Sequence, residues 1–81
     1  MITLVGNQSF DKWLANAQSG EKVCYYEGFL LIDRFNQASL PSHRLDDLHR
    51  AGCAMEAASA KLVYLFQRRT SIDYLYIAVK K

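Results

Sequence analysis

The sequence predicts one small α+β domain with two clear helices and antiparallel β-hairpins, and three observations carry that expectation. First, 81 residues with 51% apolar and 22% charged content make an ordinary globular balance for a single core. Second, apolar positions recur at helical spacing twice: Phe10, Trp13, Leu14 and Ala17, then Leu48, Ala51, Met55, Ala58 and Leu62. Third, Leu75, Ile77 and Val79 alternate with Tyr74, Tyr76 and Ala78, the period of a strand. Residues 1–81 read as a single domain.

The elements follow in order. Ile2-Thr3-Leu4-Val5 is a β-prone edge closed by Gly6-Asn7. A helix of about three turns then starts at an Asn7 or Ser9 cap, takes Asp11 in its first turn and stops towards Gly20. Residues 22–34 are rich in β-formers. They fit either a tight hairpin at Glu27-Gly28 or one bent strand bulged at Gly28. Phe29-Leu30-Leu31-Ile32 is apolar on both faces, which predicts a covered strand ending at Asp33-Arg34.

The next stretch is a loop through Pro41, with Ser42 placed to cap a helix. From Arg44 to Lys61 the pattern is helical, slim and rich in alanine. A third helix would come from a turn at Gln37–Leu40 or from a break at Gly52, which otherwise marks a close backbone contact. Residues 62–68 and 72–79 form a hairpin around Arg69-Thr70-Ser71. Leu75, Ile77 and Val79 are expected to face the core, leaving Tyr74 and Tyr76 outside, near Arg68 and Arg69.

Several chemistries find no support. No apolar run approaches the ~20 residues of a bilayer span, and the first residues lack a signal peptide's basic and apolar regions. Cys24 and Cys53 form neither a CxxC nor a disulfide framework. A reduced, cytoplasmic protein with no membrane partner is expected. The four glycines lie far apart, so no phosphate loop exists. Asp46, His49 and Cys53 share a helix face and sketch a catalytic triad. Yet Cys53 is mid-helix beside Glu56, without the helix N-terminus that lowers a thiol pKa. Zinc wants four ligands, and only the His49–Cys53 pair has ligand spacing. No catalytic residue, metal or cofactor is therefore expected.

Charge is the informative asymmetry. Residues 1–60 hold five basic and seven acidic side chains, whereas residues 61–81 hold five basic and one acidic. A basic hairpin after a helix is the layout of a winged-helix domain. On this winged-helix-like reading the partner is double-stranded DNA. Arg68 and Arg69 contact phosphate or minor groove, with Lys80 beyond them. Arg44, Arg50 and Lys61 flank the major groove, although Asp46, Asp47 and Glu56 on the same helix oppose docking. The alternative is a protein-interaction module that meets a host or phage protein, or a second copy, through Tyr64, Tyr74 and Tyr76. Cross-strand packing is the plain account of those tyrosines.

These residues also carry a resemblance. Tyr26-x-Gly28-x-Leu30-x-x-Asp33-Arg34, Val63-x-Leu65-x-Gln67-Arg68-Arg69 and Tyr74-x-Tyr76-x-Ala78-x-Lys80 are similar to a group of small uncharacterised proteins encoded in phages and prophages. The likeness covers most of residues 10–80. It implies a phage-type origin and life in a bacterial cytoplasm, and it brings no activity, cofactor or binding residue with it. The group usually has glycine near the end of the second helix, where this chain has Ala60-Lys61.

Overall fold

The computed structural model describes residues 1–81. The elements are β1 (Ile2–Thr3), α1 (Phe10–Asn16), β2 (Lys22–Gly28), α2 (Leu30–Phe35), a 3₁₀ turn (Gln37–Ser39), α3 (Ser42–Ser59), β3 (Val63–Arg69) and β4 (Tyr74–Lys80). The sheet order is β1-β2-β4-β3. β1 pairs with β2 in parallel, and the other neighbours are antiparallel. The domain is thus mixed α+β, with three helices and a four-stranded sheet. Its α1-β2-α2-α3-β3-β4 connectivity, with β4 between β2 and β3, is compatible with a winged-helix-like arrangement.

α1 begins at Ser9, whose hydroxyl accepts from Lys12 N at 3.2 Å, a side-chain N-cap. Phe10 is buried against Trp13 and Tyr25. α3 runs unbroken through Gly52, where a Cβ would meet nothing within 4 Å. The glycine therefore marks neither a break nor a close contact. Ser42 is the first residue of α3 and Pro41 its cap, without a side-chain bond.

The end of α3 has a specific geometry. Leu62 N donates to Ala57 O at 2.9 Å and Lys61 N to Ala58 O at 3.0 Å, the paired bonds of a Schellman stop. Lys61 holds φ +63° there, the left-handed conformation that glycine adopts without cost.

Two strand expectations need correction. Phe29–Ile32 is not a covered strand: Gly28 ends β2 at φ +128° and Leu30 starts α2. Only Leu30 of that helix is buried. The faces of β4 are also reversed. Ala78 lies opposite Val23 and Leu65; Val23 and Ala78 belong to the core with α3, and partly buried Leu65 packs against it. Tyr76 packs against the same core, so the even residues of β4 face the helices. Ile77, between Cys24 and Phe66, is on the helix-free face yet fully buried, as is Cys24, so its burial is as expected while Leu75 and Val79 are only half-buried.

The reason lies in α3. Ala51, Ala54 and Ala57 form its buried stripe. A helix with so little side-chain volume leaves room that tyrosine rings fill at native packing density. Tyr25 and Tyr26 are buried, Tyr25 at an irregularity between Cys24 and Tyr26, and Tyr76 closes edge-to-face on Tyr26 at 5.9 Å.

Candidate nucleic-acid interface

The β3–β4 hairpin is pinned at its tip by Thr70 and Asp73. Thr70 N donates to Asp73 O at 2.8 Å, and the Thr70 hydroxyl accepts from Asp73 N at 3.0 Å and Ile72 N at 3.3 Å. Arg68 and Arg69 are the last two β3 residues and are exposed. Strand alternation sends them to opposite faces. Arg68 shares the helix-free face with exposed Tyr64 and Phe66, while Arg69 shares the helix face with Tyr74. The Lys81 ammonium sits 4.4 Å from the Tyr64 ring centroid. Lys80, opposite Val63, and Lys61 lie at the far end of the hairpin, about 20 Å from the arginines. None of Lys61, Arg68, Arg69, Lys80 or Lys81 enters an ion pair.

Arg44 and Arg50 are placed quite differently, and their expected role at a DNA groove does not fit. Arg50 is 4% exposed. It donates to the carbonyls of Leu4 at 3.1 Å, Gln8 at 3.0 Å and Tyr25 at 3.3 Å, to that of Gly6, and to Asp47 Oδ1 at 3.0 Å. Its function in the fold is to tie the turn after β1 to α3.

Arg44 bridges Asp33 and Asp47 at 3.0 Å each and also donates to the Tyr26 hydroxyl and Glu27 O at 3.0 Å. Its charge and most of its donors are consumed inside the domain. Nearby carboxylates and Tyr26 raise its pKa against the opposing effect of burial, the largest single influence. Gly28 belongs to this cluster, because a Cβ there would lie 2.9 Å from Arg44 Nη2 and 3.3 Å from Asp33 Oδ2.

With both arginines withdrawn, the outer face of α3 carries exposed Asp46, His49 and Glu56. His49 Nε2 and Cys53 Sγ stand 3.9 Å apart, and no third His, Cys, Asp or Glu completes a metal-holding group with them. Burial, then Asp11 and Glu56, push the Cys53 thiol up, away from the nucleophilic thiolate. Asp11 reaches it from α1, a neighbour that spacing within α3 does not reveal.

The tyrosine surface is also redistributed. Tyr76 is committed to the core, its hydroxyl accepting from Leu30 N at 3.1 Å. Tyr74 stacks edge-on with Phe29 at 6.0 Å. Of the three tyrosines expected at a partner surface, Tyr64 alone is strongly exposed, at 61%.

The largest concavity, about 570 Å³, lies between β1 and α1 and mixes apolar Ile2, Leu4 and Trp13 with neutral polar side chains, Lys12 and Glu21. It touches no residue of the basic hairpin. No helix is long and apolar enough to cross a membrane. No family model, curated protein or solved structure matches the chain.

Proposed function

We propose that the protein is a non-enzymatic, phage-type regulatory module of the bacterial cytoplasm that binds duplex DNA through its C-terminal hairpin. The observation that supports this reading is the uncompensated charge of that segment. Five cations between Lys61 and Lys81 have no ion-pair partner. The one acid among them, Asp73, accepts from Thr70 Oγ1 at 3.1 Å. Unpaired arginines at a rigid tip suit phosphate, which their planar fork can hold with two bonds.

The withdrawal of Arg44 and Arg50 changes the mode of contact. An acidic α3 face is repelled by phosphate, so the hairpin leads and the footprint is small. Two to four phosphate contacts give a log–log salt slope of roughly −2 to −4. The test is a duplex titration at two salt concentrations beside the Arg68→Ala/Arg69→Ala double variant. Binding that weakens with salt, and at least tenfold in the variant, is expected. No binding at low salt, or binding indifferent to the variant, overturns the reading.

A further inference from the structure

We infer that the outward face of α2, extended by the hairpin tip, is the contact surface of a homodimer. This inference does not rest on DNA binding.

Phe29, Leu31, Ile32, Phe35 and Ile72 are 43%, 69%, 57%, 83% and 80% exposed. Phe35 follows Leu31 by four residues and Ile32 by three, so both flank it on one side of α2. Phe29 precedes the helix and stacks on Tyr74. It also lines one small cavity together with Ile72 of the hairpin tip. The patch is therefore continuous from α2 to the hairpin.

At these exposures the five residues present roughly 600–700 Å², on full exposures of about 175–240 Å² each. That exceeds the ~300–600 Å² of the largest patch on a typical monomer. It approaches the ~800 Å² each partner contributes to a standard interface. The area fits a second copy of this chain, and so does the geometry. α2 is one short helix, and a two-fold axis across it sets Leu31, Ile32 and Phe35 against the same residues of the partner. Charges of both signs flank the patch. Arg34 and Glu27 are exposed and take part in no ion pair, which suits a self-complementary rim.

Nothing in the domain's own stability asks for these side chains to point outward. α2 is anchored by its other side, through buried Leu30, the Tyr76 hydroxyl on Leu30 N and the Asp33–Arg44 pair.

Sedimentation velocity on the full chain, across a hundredfold concentration range into the high micromolar, decides the matter. The parent is expected to pass from monomer to dimer. Phe35→Asp and, separately, Leu31→Asp should stay monomeric with unchanged circular dichroism. Phe66→Asp on the helix-free sheet face should dimerise like the parent. A parent that is monomeric throughout overturns the inference. So does a dimer that survives both α2 variants or is lost only with Phe66→Asp.

Discussion

The Tyr26 hydroxyl donates to Asp33 Oδ2 across 2.6 Å, and Arg44 Nη2 reaches both oxygens at 3.0 Å. Three elements, β2, α2 and α3, meet at this one triangle. A six-residue helix is far too short to persist alone, so α2 depends on its tertiary anchors, of which Asp33 is the charged one beside buried Leu30. Asp33→Ala leaves the Tyr26 hydroxyl without its acceptor and Arg44 with Asp47 as its one carboxylate, and should cost about 2–3 kcal/mol, with Tyr26→Phe about 1–2. The double variant should lose less than the two losses added, because both act on the same bonds. Urea unfolding of the three variants measures this, and strict additivity would contradict a shared network.

Gly28 is the backbone counterpart of that triangle. Its φ of +128° strains any other residue, and a Cβ would press on Arg44 Nη2 at 2.9 Å. Gly28→Ala should destabilise by about 2–3 kcal/mol. Gly6 also has positive φ, +57°, but its Cβ would meet open space. Gly6→Ala should therefore cost only ~1 kcal/mol. Equal losses at the two positions would show that conformation alone, and not crowding at Arg44, governs Gly28.

Lys61 pays the left-handed cost that the Schellman stop imposes. Lys61→Gly should stabilise the domain by about 1 kcal/mol, raising Tm by about 4–8 °C. The same change removes one unpaired cation. DNA affinity should fall slightly while stability rises, a divergence that separate melting and titration experiments can read.

Alkaline pH should loosen the core through its tyrosines. Burial, followed by Tyr76 and Cys24, pushes Tyr25 up to about 12. Burial and the bond to Asp33 raise Tyr26 as well. For a pKa raised on folding, the stabilisation is complete below the unfolded value near pH 10 and is lost as pH climbs through the folded value. Tyr25 alone accounts for about 2–3 kcal/mol over that window. Denaturant midpoints at rising pH should fall together with the late appearance of tyrosinate absorbance. Tyr25→Phe should flatten the decline, and an unchanged decline would exclude Tyr25 as its source.

Much of the architecture is legible in the residues. The Phe10–Leu14 face, the Leu48–Ala58 stripe and the alternation of β4 each report a period, and periods identify elements. The two helical patterns overrun the element ends, because α1 stops at Asn16 with Ala17 already extended and Leu62 lies past α3, exposed. They do not say which face of a strand turns inward. That was decided by the alanines of α3, whose small volume called for Tyr25, Tyr26 and Tyr76 beneath them. Phe29–Ile32 misled because four apolar residues fit a strand and a helix equally well, and α2 turns Leu31 and Ile32 outward.

The basic hairpin was visible as a charge asymmetry. The internal work of Arg44 and Arg50 was not, although the Arg44-x-x-Asp47-x-x-Arg50 spacing places Asp47 one helical turn from each. What that spacing lacks is the distant half of the network: Asp33, Tyr26 and the carbonyls around Gly6.

Those carbonyls have a meaning in host–guest terms. The turn from Leu4 to Gln8, with Tyr25 O and Asp47, is a receptor for a guanidinium ion, and Arg50 delivers that guest on a covalent tether. Removing the tethered guest leaves the host vacant rather than absent. Arg50→Ala should lose about 3–5 kcal/mol, and dilute methylguanidinium should restore part of it while slightly lowering the parent's melting temperature. A variant that methylguanidinium only weakens would mean that the host collapses once its guest is gone.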